Sequence, residues 1–169
     1  MAENTKQISE DYYKTLFENL IDGLAYCQML FDEQKHPIDF IYLDVNKNFE
    51  KLTGLKNVIG KKVTEVIPGI KESNPELLET YGRVALGGQS EKFEVYILEL
   101  KTWFLVSVYS PKEEYFVVVF QNITEQKKHQ MESEEVNKNL ERINKLMVDR
   151  ELRMVELKKE IKELKTKQI

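Results

Sequence analysis

The chain has 169 residues, 41% hydrophobic and 32% charged, with a net charge of −4, which leaves room for one ordinary domain and an appendage. No apolar run approaches the roughly 20 residues of a membrane span, and the acidic N-terminus is not a signal peptide, so no membrane association and a cytoplasmic location are expected. The single Cys27 excludes an internal disulfide and any multi-cysteine metal site. Charge is unevenly spread: residues 125–169 carry 12 Lys/Arg and 10 Asp/Glu, leaving 13 and 19 for residues 1–124. The first part is therefore acidic, and duplex nucleic acid is not an expected partner.

In chain order, residues 7–20 space Ile8, Tyr12, Leu16 and Leu20 four apart, which predicts an amphipathic helix over the N-terminal segment 1–22. Asp22-Gly23 breaks it. Two strands are predicted at roughly 24–31 and 38–45, joined by a polar turn at Pro37. A short helix follows, opened by Asn46 as N-cap and closed at Gly54. Residues 57–70, punctuated by Gly60, Pro68 and Gly69, read as irregular. A better helix runs from Asn74 as cap, through Pro75 in its first turn, to a stop at Gly87-Gly88. Three strand candidates come next: "EKFEVYILEL", "TWFLVSVYS" and "EYFVVVFQNI". Val95, Ile97, Phe104, Val106 and Val108 alternate as in a sheet covered on one face. The third run is too uniformly apolar to assign faces. Two strand blocks flanking a helical insert predict one antiparallel five-stranded sheet in an α+β domain.

From residue 125 to Ile169 there is no Pro or Gly. With Leu140 at heptad position a, Met147, Met154 and Ile161 share that position. Val136, Ile143, Arg150, Leu157 and Leu164 fall at d. This is a coiled-coil seam with one polar break. A helix over 125–169 would be about 68 Å long at 1.5 Å per residue, and its stripe needs a partner. A homodimer through this helix, most simply parallel, is the expectation. Val148, Leu152 and Val155 fall opposite the seam and read either as tolerated surface apolars or, the favoured reading, as a second contact.

The run "DVNKNFEKLTGLKNVIGKKVTEVIPG" resembles the first half of a PAS domain, and "WFLVSVYSPKEEYFVVVFQNITEQKK" resembles its C-terminal half. The resemblance spans roughly 12–128 and assigns 23–124 to the PAS domain. Asn122-Ile123-Thr124-Glu125 is similar to the Asp-Ile-Thr-Glu junction of that family, with Asn for the usual Asp. The tail is similar to the signalling helices that follow PAS domains in bacterial and archaeal sensor histidine kinases. The resemblance implies a sensory module, the sensor part of a two-component system, with a kinase or other output module downstream. It implies a pocket for a small-molecule ligand between sheet and helices, with Phe49, Leu52, Val66, Ile67, Leu78, Tyr81, Val106 and Phe120 as candidate lining. At the junction, Asn122 or Thr124 can accept hydrogen bonds from the first free N–H groups of the helix.

The cofactor is left open. Cys27 lies on a predicted strand and not in the helical Asn-Cys-Arg-Phe-like motif of flavin-adduct photosensors, so it reads as a structural cysteine. No His occupies the helical insert where a haem-binding PAS domain places its axial ligand, and His36 reads as exposed in a turn. His129 lacks the residues that follow a phosphoacceptor His. Trp103 and Tyr109 are expected to cover the sheet. No catalytic constellation or phosphate loop assembles, so an enzyme is not expected. The alternative to a sensor is a scaffold that binds no small molecule, which a filled core would favour.

Overall fold

The computed structural model describes residues 12 and 14–166, with side chains as far as residue 160. Most of the predicted N-terminal helix lies outside these; residues 14–19 are helical. The chain divides into two compact units, Met1–Thr124 and Glu125–Ile169.

The first unit is built on five strands: β1 (Gly23–Phe31), β2 (Pro37–Val45), β3 (Glu91–Ile97), β4 (Thr102–Lys112) and β5 (Tyr115–Asn122). They form one sheet in the order β2-β1-β5-β4-β3, and every neighbouring pair is antiparallel. Four short helices fill the chain between β2 and β3: α1 (Lys47–Thr53), α2 (Val63–Val66), α3 (Ile70–Ser73) and α4 (Pro75–Ala85). This is the α+β architecture that the PAS-like motifs imply.

Register settles what the sequence left open in β5. Ala25 sits opposite Val118 and Val106 opposite Phe120. Because side chains alternate along a strand, Phe116, Val118 and Phe120 share the core face with Cys27, Phe104 and Val106. Val117 is also buried, on the other face, which is why the run shows no alternation.

Asn46 holds the first hairpin to the helical insert. Its Oδ1 accepts from Phe49 N at 2.9 Å, the expected cap, and from Leu24 N at 3.0 Å. Its Nδ2 donates to the Asp22 carbonyl at 2.9 Å. Gly54 closes α1 in the left-handed region at φ 74°, a conformation open to glycine without a Cβ penalty.

The segment read as irregular contains one helical turn, α2, and leads into another, α3. Gly60 turns the chain before α2 and Gly69 turns it between α2 and α3, both at positive φ, and Val63 and Ile70 are buried. Asn74 does not cap α4 with its side chain, which donates instead to Ser73 Oγ at 3.0 Å. The third strand stops at Ile97, where Leu98–Lys101 turn with Lys101 at φ 51°.

The second unit is helix α5, assigned Thr124–Thr166 over 43 residues, about 65 Å at 1.5 Å per residue. No helix among the described residues is long and apolar enough to cross a membrane.

Candidate functional site: a lined cavity and a strand–helix junction

Between the core face of the sheet and α1–α4 lies a cavity of about 70 Å³. All five strands contribute to its wall: Ala25 and Cys27 from β1, Phe40 and Tyr42 from β2, Val95 and Ile97 from β3, Phe104 and Val106 from β4, Val118 and Phe120 from β5. Phe49, Ile67, Ile70 and Tyr81 close it from the helical side.

Of the eight lining candidates, Phe49, Ile67, Tyr81, Val106 and Phe120 reach the wall. Leu52, Val66 and Leu78 do not. Leu78 is buried in the core, while Leu52 and Val66 pack partly buried against it. Sequence reasoning missed Cys27 and Tyr42 as wall residues. The signal was available in strand alternation, since Cys27 lies two residues from Ala25 and opposite Phe116.

Six aromatic rings stand among the mostly aliphatic residues of the wall, and the core residue Phe116 joins them into one series. Tyr81 contacts Phe116 with centroids 5.0 Å apart, Phe116 contacts Phe40 at 5.3 Å, and Phe40 contacts Tyr42 at 5.2 Å. The series continues from Tyr42 to Phe49, Phe120 and Phe104. Apart from the tilted Tyr81–Phe116 pair these contacts are edge-to-face, and such pairs add about 0.5–1.5 kcal/mol each beyond their burial.

Among the described residues, none of the wall carries a charge. Its polar groups are Cys27, Thr53 and the two tyrosines. The Thr53 hydroxyl donates to the Phe49 carbonyl at 2.7 Å and accepts from Leu55 N at 3.2 Å. Burial pushes the Cys27 thiol far above its ordinary range. It also raises Tyr81, with a further contribution from Cys27. Tyr42 is raised by burial and then by Cys27, Tyr81 and Asp39. All three groups are therefore protonated at neutral pH and act as hydrogen-bond donors or weak acceptors.

The volume bounds what fits. An engineered cavity of about 150 Å³ holds benzene, so about 25 Å³ serves each heavy atom. On that measure the space equals the room of about three heavy atoms.

At the exit from the sheet, Asn122 Oδ1 accepts from Thr124 N at 3.0 Å, as expected of a residue capping the helix start. Thr124 does something different from capping: its Oγ1 accepts from Trp103 N at 3.0 Å. Ile123, buried, donates its N–H to the Trp103 carbonyl at 2.9 Å. Both backbone groups of Trp103 at the start of β4 are thus held by the two residues after β5. Glu125 lies in the first turn of α5, where a carboxylate complements the positive end of the helix dipole.

Along α5 the heptad residues Val136, Leu140, Ile143, Met147, Met154 and Leu157 are all exposed in the single chain, Met147 by 58%. Arg150 is exposed among them, and the side chains of Ile161 and Leu164 lie outside those described. Val148, Leu152 and Val155 are exposed as well. His36 is exposed and contacts Asp32 Oδ2 through Nδ1 at 3.1 Å. His129 is exposed beside Glu125 and Glu132. Trp103 packs on Tyr96 with centroids 5.4 Å apart, whereas Tyr109 is 45% exposed and covers the sheet only in part.

No family model and no curated protein matches the chain. Among solved structures it is similar to a domain of an HTR-like protein from Haloarcula marismortui ATCC 43049, at 16% identity and a TM-score of 0.46, covering 62% of this chain and 100% of that one. It is also similar to the PAS domain of BvgS from Bordetella pertussis, at 14% identity and a TM-score of 0.45, covering 78% and 98% respectively.

Proposed function

We propose that the chain is a cytoplasmic, non-enzymatic PAS-type sensory module. A ligand- or partner-dependent change in its sheet is transmitted through a homodimeric pair of α5 helices to a kinase or other output module, as in the sensor part of a two-component system. The observation that carries this reading is the row of exposed apolar side chains at heptad positions of α5. A helix of this length with an uncovered seam is stabilised by pairing with a like helix. The junction supports it. The strand that lines the cavity with Val118 and Phe120 leads to Asn122 and Thr124, which bond to one another, and Thr124 also accepts from Trp103 N.

A second reading, a scaffold that docks partners and binds no small molecule, draws support from the small cavity volume. Both readings require the dimer. Light scattering of the full chain, beside a variant with Leu140, Ile143 and Met147 replaced by Ser, tests it. The parent should have twice the mass of the variant at roughly tens of micromolar, with the sheet folded in both. A parent that is monomeric there overturns the proposal.

A further inference from the structure

The two edges of the sheet are not alike. On β2, Tyr42 N donates to the Lys61 carbonyl at 3.1 Å and Gly60 N donates to the Tyr42 carbonyl at 2.7 Å, so the chain itself covers the middle of that edge. On β3 the described residues supply no such cover. Trp103 shows which backbone groups of β3 are left over. It turns its N–H to Thr124 Oγ1 and its carbonyl to Ile123 N, both on the β5 side. Along an antiparallel ladder the backbone groups of successive residues point to opposite sides. β3 pairs with β4 without a register shift, and Tyr96 stands opposite Trp103. The N–H and C=O of Tyr96, and by alternation those of Glu94 and Lys92, therefore face away from β4.

A groove of about 430 Å³ lies beside this edge, between β3 and the start of α4. Its floor is apolar: buried Leu77, with Phe93 and Val95, which pack on the core yet are only partly buried. Glu76, Glu91 and Glu94 line it, and among the described residues no Lys, Arg or His does. Arg83 reaches Glu91 from outside the lining, at 2.8 and 2.9 Å, and ties α4 to the first residue of β3. An open edge of this kind is a template for a further strand. Side chains of an added strand would alternate. Those opposite Phe93 and Val95 would enter the groove, and the one opposite Glu94 would lie on the other face beside its carboxylate. The charges of Lys92 and Glu94 select against an unmatched strand, which makes the charge pattern of the partner decisive.

We propose that the β3 edge docks an extended peptide segment of a partner protein, paired antiparallel to β3. Its residues opposite Phe93 and Val95 are apolar, and the residue between them, opposite Glu94, is Lys or Arg. A second copy of β3 fits less well, because it brings two more carboxylates, Glu91 and Glu94, against one Lys92. The proposal rests on the partner-dependent form of the sensory reading above, for which it names the chemistry of the partner and its place on the sheet.

The test uses the nitrogen-labelled full chain and the capped peptide Thr-Val-Thr-Val-Lys-Val-Thr, followed by NMR up to about 1 mM peptide. Saturable shifts should centre on the amides of Lys92, Glu94, Val95 and Tyr96, and solvent exchange at Lys92, Glu94 and Tyr96 should slow. A peptide with Glu in place of Lys should bind at least about fivefold more weakly, the worth of a reversed cross-strand charge pair. Backbone N-methylation at the Lys removes the donor aimed at the Glu94 carbonyl and should weaken binding by at least about fivefold too. Glu94 is exposed, and Glu94→Lys should reverse the preference between the two peptides, with Glu94→Gln bringing them close to equal.

Equal affinity for the Lys and Glu peptides, an unchanged preference in Glu94→Lys, or no saturable shifts along β3 overturns the proposal. So does slow exchange at Lys92, Glu94 and Tyr96 in the chain without peptide, which would mean an edge already paired. If that protection grows with protein concentration, the occupant is a second copy. The two readings fail separately. A monomeric chain that binds the Lys peptide at this edge refutes the dimeric relay and leaves the docking site standing. A dimer with an open edge that binds no peptide does the reverse.

Discussion

Replacing Asn46 by Ala tests how the first hairpin is joined to the helical insert. Asn46 is 1% exposed, and its amide makes three hydrogen bonds: to Phe49 N, to Leu24 N and to the Asp22 carbonyl. Loss of the helix cap costs about 1 kcal/mol. Leu24 N, buried at that bond, is left without an acceptor, which costs about 1–3 kcal/mol more. Asn46→Ala should therefore destabilise the globular unit by about 3 kcal/mol, a large share of the roughly 5–15 kcal/mol typical of a domain. Asn46→Asp keeps both acceptor contacts but sets a buried carboxylate oxygen against the Asp22 carbonyl, so it should stay well below the parent. Equilibrium unfolding in urea, with the slope unchanged across the series, measures this directly. A loss below about 1 kcal/mol for Asn46→Ala, or an Asp variant as stable as the parent, would refute the reasoning.

Burial holds the Cys27 thiol protonated in the folded chain, while the unfolded thiol ionises near its ordinary 9.0. The folded state then binds more protons, so the thiol's contribution to stability should be level below that pH and fall as pH rises above it, making the alkaline loss less steep in Cys27→Ala; identical pH profiles would contradict this. Thr124→Val removes the acceptor of Trp103 N and should cost about 1 kcal/mol and speed amide exchange at Trp103, with Thr124→Ser close to the parent; equal exchange in all three would remove the role assigned to Thr124. Arg150→Leu fills the polar break in the seam and should raise the melting midpoint of the dimer while reducing the responsiveness of the helix pair; an unchanged or lower midpoint counts against the seam as drawn.

The order of strands and helices was legible because local signals agree with the fold: Asn46 before an apolar turn, Gly54 after it, Pro75 opening α4. What was not legible depends on long-range register. The second and third bonds of Asn46 reach residues 22 and 24 positions away, and nothing near residue 46 announces them. The faces of β5 could not be read because both are buried, and only pairing with β1 and β4 distinguishes Phe120 from Val117. Leu52, Val66 and Leu78 were named for the cavity because they lie on apolar faces, yet a face is wider than the space it borders. Thr124 looked like a cap, and its partner on β4 follows only from the antiparallel return of β5.

Dipolar EPR on the full chain tests the parallel helix pair most directly. With Cys27 replaced by Ala, a single spin label is placed at Lys138 in one sample and at Lys159 in another, both exposed and away from the heptad seam. A parallel pair with axes about 8–10 Å apart brings each label near its own copy, so both samples should give short, narrow interspin distances. The absence of a dipolar signal at both positions would mean no helix pair, and a long distance at both would mean an antiparallel one; either result contradicts the account.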